Sequence, residues 1–202
     1  MAETASDQAL LTAASRDDTA GVKAALAAGA AIDARDNHGQ GALLFAVQRG
    51  DRDLALYLIG QGADINAEAA NHDTPWLLAG ALGRTEMLAA MLDSGKVDYT
   101  KRNRYGGNAL IPACERGHVD TVRLLLSRSK IDVNHVNNLG WTALLEAVIL
   151  SDGGPRHIEI VQLLTAGADP NITDKDGVTP LQHARDRRYD AIATMIKDAG
   201  GK

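Results

Sequence analysis

Residues 177–184 read Gly-Val-Thr-Pro-Leu-Gln-His-Ala, and residues 140–147 read Gly-Trp-Thr-Ala-Leu-Leu-Glu-Ala. The two stretches share a glycine, a threonine two places on, a leucine two places after that, and a closing alanine. Working outward, the same frame returns at 39–46 (GQGALLFA), 72–79 (HDTPWLLA) and 106–113 (GGNALIPA), so that successive starts lie 33, 34, 34 and 37 residues apart. A second apolar-periodic stretch follows, as in DLALYLIGQGADIN, EMLAAMLDSGKVDY, DTVRLLLSRSKIDVN and EIVQLLTAGADPN, and a copy without its leading turn runs from Leu10 through GVKAALAAGAAID. A fixed period of this length marks a stack of supersecondary units, each too small to bury its own apolar face. The spacing gives six units.

Each unit reads as an antiparallel helix pair. Thr74-Pro75 and Thr179-Pro180 place a hydroxyl at an N-cap and a proline at the first helical position, where its missing N–H costs nothing. Gly50, Gly83 and Gly117 follow about eight residues later, where a left-handed residue ends a helix and turns the chain back. The second stretch is apolar at helical spacing, as at Val122, Leu125 and Leu126, and closes at Gly62, Gly95 or Gly167. The tracts Asp33 to Gly39, Asn103 to Gly106, Asn137 to Gly140 and Asp174 to Gly177 are polar and end in glycine, which suits tight turns at the tips. Alanines recur at one position of the first helix (Ala46, Ala79, Ala113, Ala147, Ala184) and let neighbouring helices approach closely.

This pattern resembles the ankyrin repeat, whose turn, G-x-T-P-L-H-x-A helix and closing G-A-D-x-N are matched by GVTPLQHA, GWTALLEA, GADIN at Gly62 to Asn66 and GADPN at Gly167 to Asn171. The resemblance covers residues 8–200. It implies an all-α solenoid of six stacked helix-turn-helix units with β-turn or hairpin tips. The whole chain, 1–202, is then one domain with repeats near 8–35, 36–68, 69–102, 103–136, 137–173 and 174–200. The sequence departs from the family at several points: Leu44, Leu77, Ile111, Leu145 and Gln182 replace the family's His, His72 replaces a turn glycine, and Ser151 to Pro155 is an insertion between helices. The runs RNRYGGNALIPACERGH and GWTALLEAVILSDGG resemble small stand-alone bacterial ankyrin proteins more specifically.

Composition narrows the function. The chain has 202 residues, 34 alanines, 20 glycines and seven aromatics, with 45% hydrophobic and 23% charged side chains, which is a globular composition. The longest uncharged stretches, such as Thr74 to Gly83, are half the length of a membrane span. Met1-Ala2-Glu3-Thr4 shows no leader pattern, so the cytoplasm is expected, with the periplasm as the alternative if a leader has been removed. Net charge is −5, and only residues 71–140 are net positive, with nine basic against seven acidic side chains. Nucleic acid, which requires a broad basic face, is disfavoured as a partner.

No catalytic or metal constellation assembles. The six histidines occupy different repeat positions without ligand spacing, the one cysteine, Cys114, reads as a small buried hydrophobe, and Gly153-Gly154 lacks the context of a phosphate loop. No enzyme activity, cofactor or metal is expected. Trp76 stands where other units have leucine and reads as core. Glu146 sits at a position filled by Phe45, Leu78 and Pro112 elsewhere, facing the stack, and His183 occupies it in the next unit. A buried carboxylate needs partners, and a Glu146–His183 contact or contacts from the nearby insertion are expected.

In the ankyrin fold the tips and the exposed end of each first helix line a concave, preformed face. Tyr, Trp and Arg dominate binding hot spots, and the third and fourth turns supply all three. The candidate partner-binding residues are Arg102, Arg104, Tyr105, Glu115, Arg116, Leu139 and Trp141. The expected function is non-catalytic protein recognition by a monomer. The alternative is an accessory protein that protects or assembles one enzyme, for example an oxidative-stress enzyme, in a bacterial cell.

Overall fold

The computed structural model describes residues 4–202; Met1, Ala2 and Glu3, on which the expectation about a leader rests, lie outside them. Among the described residues the regular structure is all helical. Twelve helices follow in order: α1 (Ala5–Ser15), α2 (Thr19–Ala27), α3 (Ala42–Arg49), α4 (Arg52–Gly60), α5 (Pro75–Ala81), α6 (Thr85–Asp93), α7 (Leu110–Glu115), α8 (Val119–Arg128), α9 (Ala143–Ile149), α10 (Pro155–Leu164), α11 (Pro180–Asp186) and α12 (Asp190–Asp198). The tips contain turns rather than strands, with one isolated antiparallel bridge between Arg35 and Gly41.

The expected start signals operate as read. Thr74, Thr142 and Thr179 accept hydrogen bonds from the backbone N–H groups of Leu77, Leu145 and Gln182 at 3.1–3.2 Å, each capping the helix that follows. Asn108 replaces the threonine before α7. Its Oδ1 accepts from the Leu110 and Ile111 N–H groups while its Nδ2 donates to the Asp132 carbonyl, and the side chain is buried. At the first helix, Thr4 and Asp7 form a reciprocal capping box, and Asp7 also accepts from the Ala31 N–H at 2.7 Å. Asp7 is thus a buried structural group. The Thr4 hydroxyl, foremost among these bonds, holds its carboxyl below the usual range.

The chain divides into two compact units, residues 1–79 with 86–101, and residues 80–85 with 102–202. In the first unit α1 packs on α2 and α3, and α3 on α4. Trp76 is 2% exposed and meets Tyr99 edge to face with ring centroids 6.0 Å apart, as a core side chain does. In the second unit α7 packs on α8 and α9, α9 on α10 and α11, α8 on α10, and α12 on both α10 and α11. In the second unit, helices thus touch their own partners and their counterparts in adjacent repeats. The five recurring alanines are all 1% exposed or less. Without branched side chains there, the first helices approach closely enough to exclude water.

Candidate functional site

The second unit holds all seven candidate residues, and its tips show how they are positioned. In the turn 103–107, Asn103 Oδ1 accepts from the Tyr105 and Gly107 N–H groups at 2.9 Å, while the Asn103 N–H donates to the Gly107 carbonyl and its own carbonyl accepts from Gly106. Asn137 repeats this with the Leu139 and Trp141 N–H groups at 3.0 Å, and Asp174 with Asp176 and Val178. In each, the fourth residue is a left-handed glycine: Gly106 at φ 73°, Gly140 at 87° and Gly177 at 78°. An Asx side chain that mimics a backbone acceptor, followed by a residue free to adopt positive φ, fixes the turn and aims its middle residue outward. That residue is Tyr105 in one tip and Leu139 in the next.

Neighbouring tips are tied together. The Asn138 N–H donates to the Tyr105 carbonyl at 2.9 Å, and Lys175 Nζ donates to the Asn138 carbonyl. Tyr105 is 51% exposed and Leu139 47%, so both present apolar surface from rigid turns. The Arg104 guanidinium lies 4.8 Å from the Tyr105 ring centre, in cation–π geometry. Trp141 is half-buried in its turn, between full exposure and core. At the end of α7, Arg116 is exposed and donates to the Ala81 carbonyl at 2.8 Å. The backbone carbonyl of half-buried Glu115 accepts from His157 Nε2 at 3.0 Å, and Arg102 is half-buried before the first tip. The structure thus brings Arg104, Tyr105 and Leu139 together through the joined tips.

Glu146 and His183 do not meet. Glu146 accepts from Asn137 Nδ2 at 2.8 Å, whereas His183 Nε2 bonds Asp174 at 2.7 Å. The reason is the repeat itself: each side chain reaches back nine residues to the Asx of its own tip, so equivalent positions satisfy equivalent needs locally. The two pairs carry opposite chemistry, amide to carboxyl in one and carboxylate to imidazole in the other. Burial, then the nearby Glu115 carboxylate, lift the Glu146 carboxyl to about 7, against the opposing Asn137 amide and Arg116. Asp174 moves the other way, held down first by the Val178 N–H.

Sequence reasoning located the tips but missed that Asn103, Asn137 and Asp174 organise them. The readable signal was Asx three residues before each glycine.

Nothing in this geometry assembles a nucleophile with a base. Cys114 is fully buried, and desolvation followed by Glu146 pushes its thiol well up, so the thiolate is suppressed. Among the described residues no three His, Cys, Asp or Glu side chains gather as a metal site, and no helix is long and apolar enough to cross a membrane.

Comparison with known proteins agrees with the fold. The family model for ankyrin repeats (3 copies) matches residues 2–69 and 76–174. The ankyrin repeat protein YahD of Escherichia coli (strain K12) is 40% identical over 191 residues, covering 94% of each chain. Among solved structures, an ankyrin repeat domain from Acinetobacter baumannii AYE is 50% identical with a TM-score of 0.90, covering 96% of this chain and 98% of that one. The ankyrin repeat protein EF0377 is 44% identical with a TM-score of 0.92 and the same coverage. The ankyrin repeat domain of Bcl-3, of the IkappaB family, is 27% identical at 0.81, covering 96% and 86%. Ankyrin repeats in general mediate protein–protein interaction and are not enzymes. Repeat period, capped helix pairs, glycine-closed tips and these relatives agree: the chain belongs to the ankyrin repeat family.

Proposed function

We propose that this chain is a single recognition domain of six ankyrin units. It binds a protein partner through Arg102, Arg104, Tyr105, Glu115, Arg116, Leu139 and Trp141 and catalyses no reaction. The observation that carries the reading is the pair of hydrogen-bonded tips presenting Tyr105 and Leu139 half-exposed, with Arg104 against the tyrosine ring. Such turns are already ordered, so docking costs little conformational entropy. Ring-bearing and guanidinium side chains on a rigid frame are the groups from which binding hot spots are built. We take the domain to act as a monomer in the cytoplasm; no observation favours the accessory-protein alternative.

The test is crosslinked affinity capture from the native cell, comparing wild type with a Tyr105→Ala/Trp141→Ala chain. One protein retained by the wild type and lost by the double variant, with unchanged thermal unfolding, is the expected result. Equal retention by both chains moves the site elsewhere.

A further inference from the structure

Among the described residues the exposed large apolar side chains are Tyr105, Val136, Leu139 and Leu150, so all fall within one stretch of two successive repeats. Single exposed apolar residues are ordinary, but their confinement to one sector marks an interaction surface. Val136 and Leu139 flank the buried Asn137 of one tip, Tyr105 crowns the tip bonded to it, and Leu150 ends α9, the first helix of the same repeat.

The charges beside this strip are unbalanced. Arg104 and Arg116 are exposed. Of the carboxylates nearby, Glu115 is half-buried, Glu146 is 5% exposed and turned to Asn137, and exposed Asp152 is engaged by His157 and the Gly154 N–H. Both guanidiniums are also pre-positioned, Arg104 by the Tyr105 ring and Arg116 by the Ala81 carbonyl. Held in this way, a guanidinium loses little rotamer entropy when it takes a carboxylate, and its fork matches the two carboxylate oxygens.

We infer that the strip formed by Arg104, Tyr105, Arg116, Leu139 and Leu150 takes an extended acidic peptide segment of a partner, with one large apolar side chain anchored between Tyr105 and Leu139 and flanking Asp or Glu side chains on the arginines. This rests on the proposed recognition site and adds the chemistry of what fills it. Adjacent repeats pack about 10 Å apart and an extended chain advances about 3.3 Å per residue, so carboxylates about three residues from the anchor reach the neighbouring repeat. Single-stranded nucleic acid also pairs phosphates with arginine and stacks on rings. Here the strip offers one exposed ring, Tyr105, beside aliphatic Leu139 and Leu150, where successive bases need a series of stacking faces, and the chain is acidic overall.

The test is selection of random 12-residue peptides on the full-length protein, followed by titration of synthetic binders by fluorescence anisotropy. Expected are sequences with two or more Asp or Glu within four residues of a Leu, Phe, Met or Trp. Their affinity should fall at least tenfold on Arg104→Glu, fall similarly on Tyr105→Ala, and weaken steeply with salt. Replacing the peptide's acidic residues by lysine should abolish binding. Arg104 and Tyr105 are exposed, so unchanged circular dichroism melts will show that the variants remain folded.

Binders without acidic excess that still require Tyr105 and Trp141 would refute this partner chemistry and leave the surface standing. Acidic binders indifferent to both aromatics would refute the surface itself. No selected peptide, or a labelled oligo(U) 12-mer that binds more tightly than any peptide, would also overturn the inference.

Discussion

Glu146 is the residue at which folding and ionisation are most directly linked. Its carboxyl titrates near 4.5 in an unfolded chain and about 7 in the fold, because burial disfavours the charged form. Between those values the folded state holds more protons than the unfolded one, so this group's contribution to stability falls as pH rises from about 4.5 to about 7 and is level above that. The full span is at most about 3 kcal/mol. Glu146→Gln keeps an oxygen that accepts from Asn137 and removes the titration. It is therefore expected to raise stability by about 1–3 kcal/mol at pH 8 and to change little at pH 5, as urea unfolding at the two values will show. An equal effect at both would mean the carboxylate is not desolvated in the way described. His72 makes a second case. It stands where the other tips have glycine and adopts φ 64°, a conformation that costs a side-chain-bearing residue about 1 kcal/mol. Its contact with Glu68 is solvent-exposed and returns little. His72→Gly should shift the urea midpoint upward by an amount equivalent to a few tenths to 1 kcal/mol; a downward shift would show that the Glu68 contact outweighs the strain.

The tip is the element that joins fold to function, and its keystone is the Asx side chain. Asn137 is buried and makes three side-chain hydrogen bonds, two from backbone N–H groups and one to Glu146, whereas half-buried Asn103 makes two. Leaving buried donors and acceptors unmatched costs about 1–3 kcal/mol each before relaxation or entering water. Asn137→Ala is thus expected to destabilise by about 2–4 kcal/mol and Asn103→Ala by about 1–2 kcal/mol in denaturant titrations. The reverse order would place the structural weight on the glycines alone. Much of this element was readable in advance: the Thr-Pro starts, the glycine ends and the alanine seam all follow from backbone sterics that act within a few residues. Trp76 was assignable to the core for the same reason, since its repeat register equals that of a leucine. The Glu146–His183 contact was misjudged because equal register was taken as proximity. Register says which way a side chain points, but a polar group then bonds the nearest competent partner, here nine residues back in its own tip. The exposure of Tyr105 and Leu139 was legible from turn position. The tip-to-tip bond between Asn138 and Tyr105 was not, because backbone pairing between repeats leaves no mark on side-chain identity.

Across the molecule, stability should follow the nearest-neighbour logic of a repeat array, in which each helix pair is held by the pairs adjoining it. Within the second unit, α11 packs on α9 and α12 on α10, and they bring buried Leu181, Ile192 and Ile196 to the core. Tyr189 donates to the Ser151 carbonyl and Lys175 to that of Asn138, fastening the insertion and the preceding tip. Removing residues 174–202 deletes these groups and bares the faces of α9 and α10 that they cover. At about 2 kcal/mol for each large apolar side chain, the loss is of order 6 kcal/mol, which lowers Tm by roughly 10–20 °C in a chain of this size. The exposed Asp190, Thr194, Lys197 and Asp198 of α12 supply a polar outer face, and terminal units need such a face to stay soluble. The shortened chain should therefore self-associate, which light scattering after size-exclusion chromatography will detect. The tip at 103–107 borders the 137–141 tip and not the deleted segment, so a peptide selected on the intact protein should still bind the shortened chain below its melting point, with affinity reduced several-fold at most. A monomeric truncated chain with unchanged Tm would refute nearest-neighbour coupling. Complete loss of binding from a chain that is still folded would show that the site depends on the last pair, and that order at Tyr105 is set by more of the array than the tip beside it.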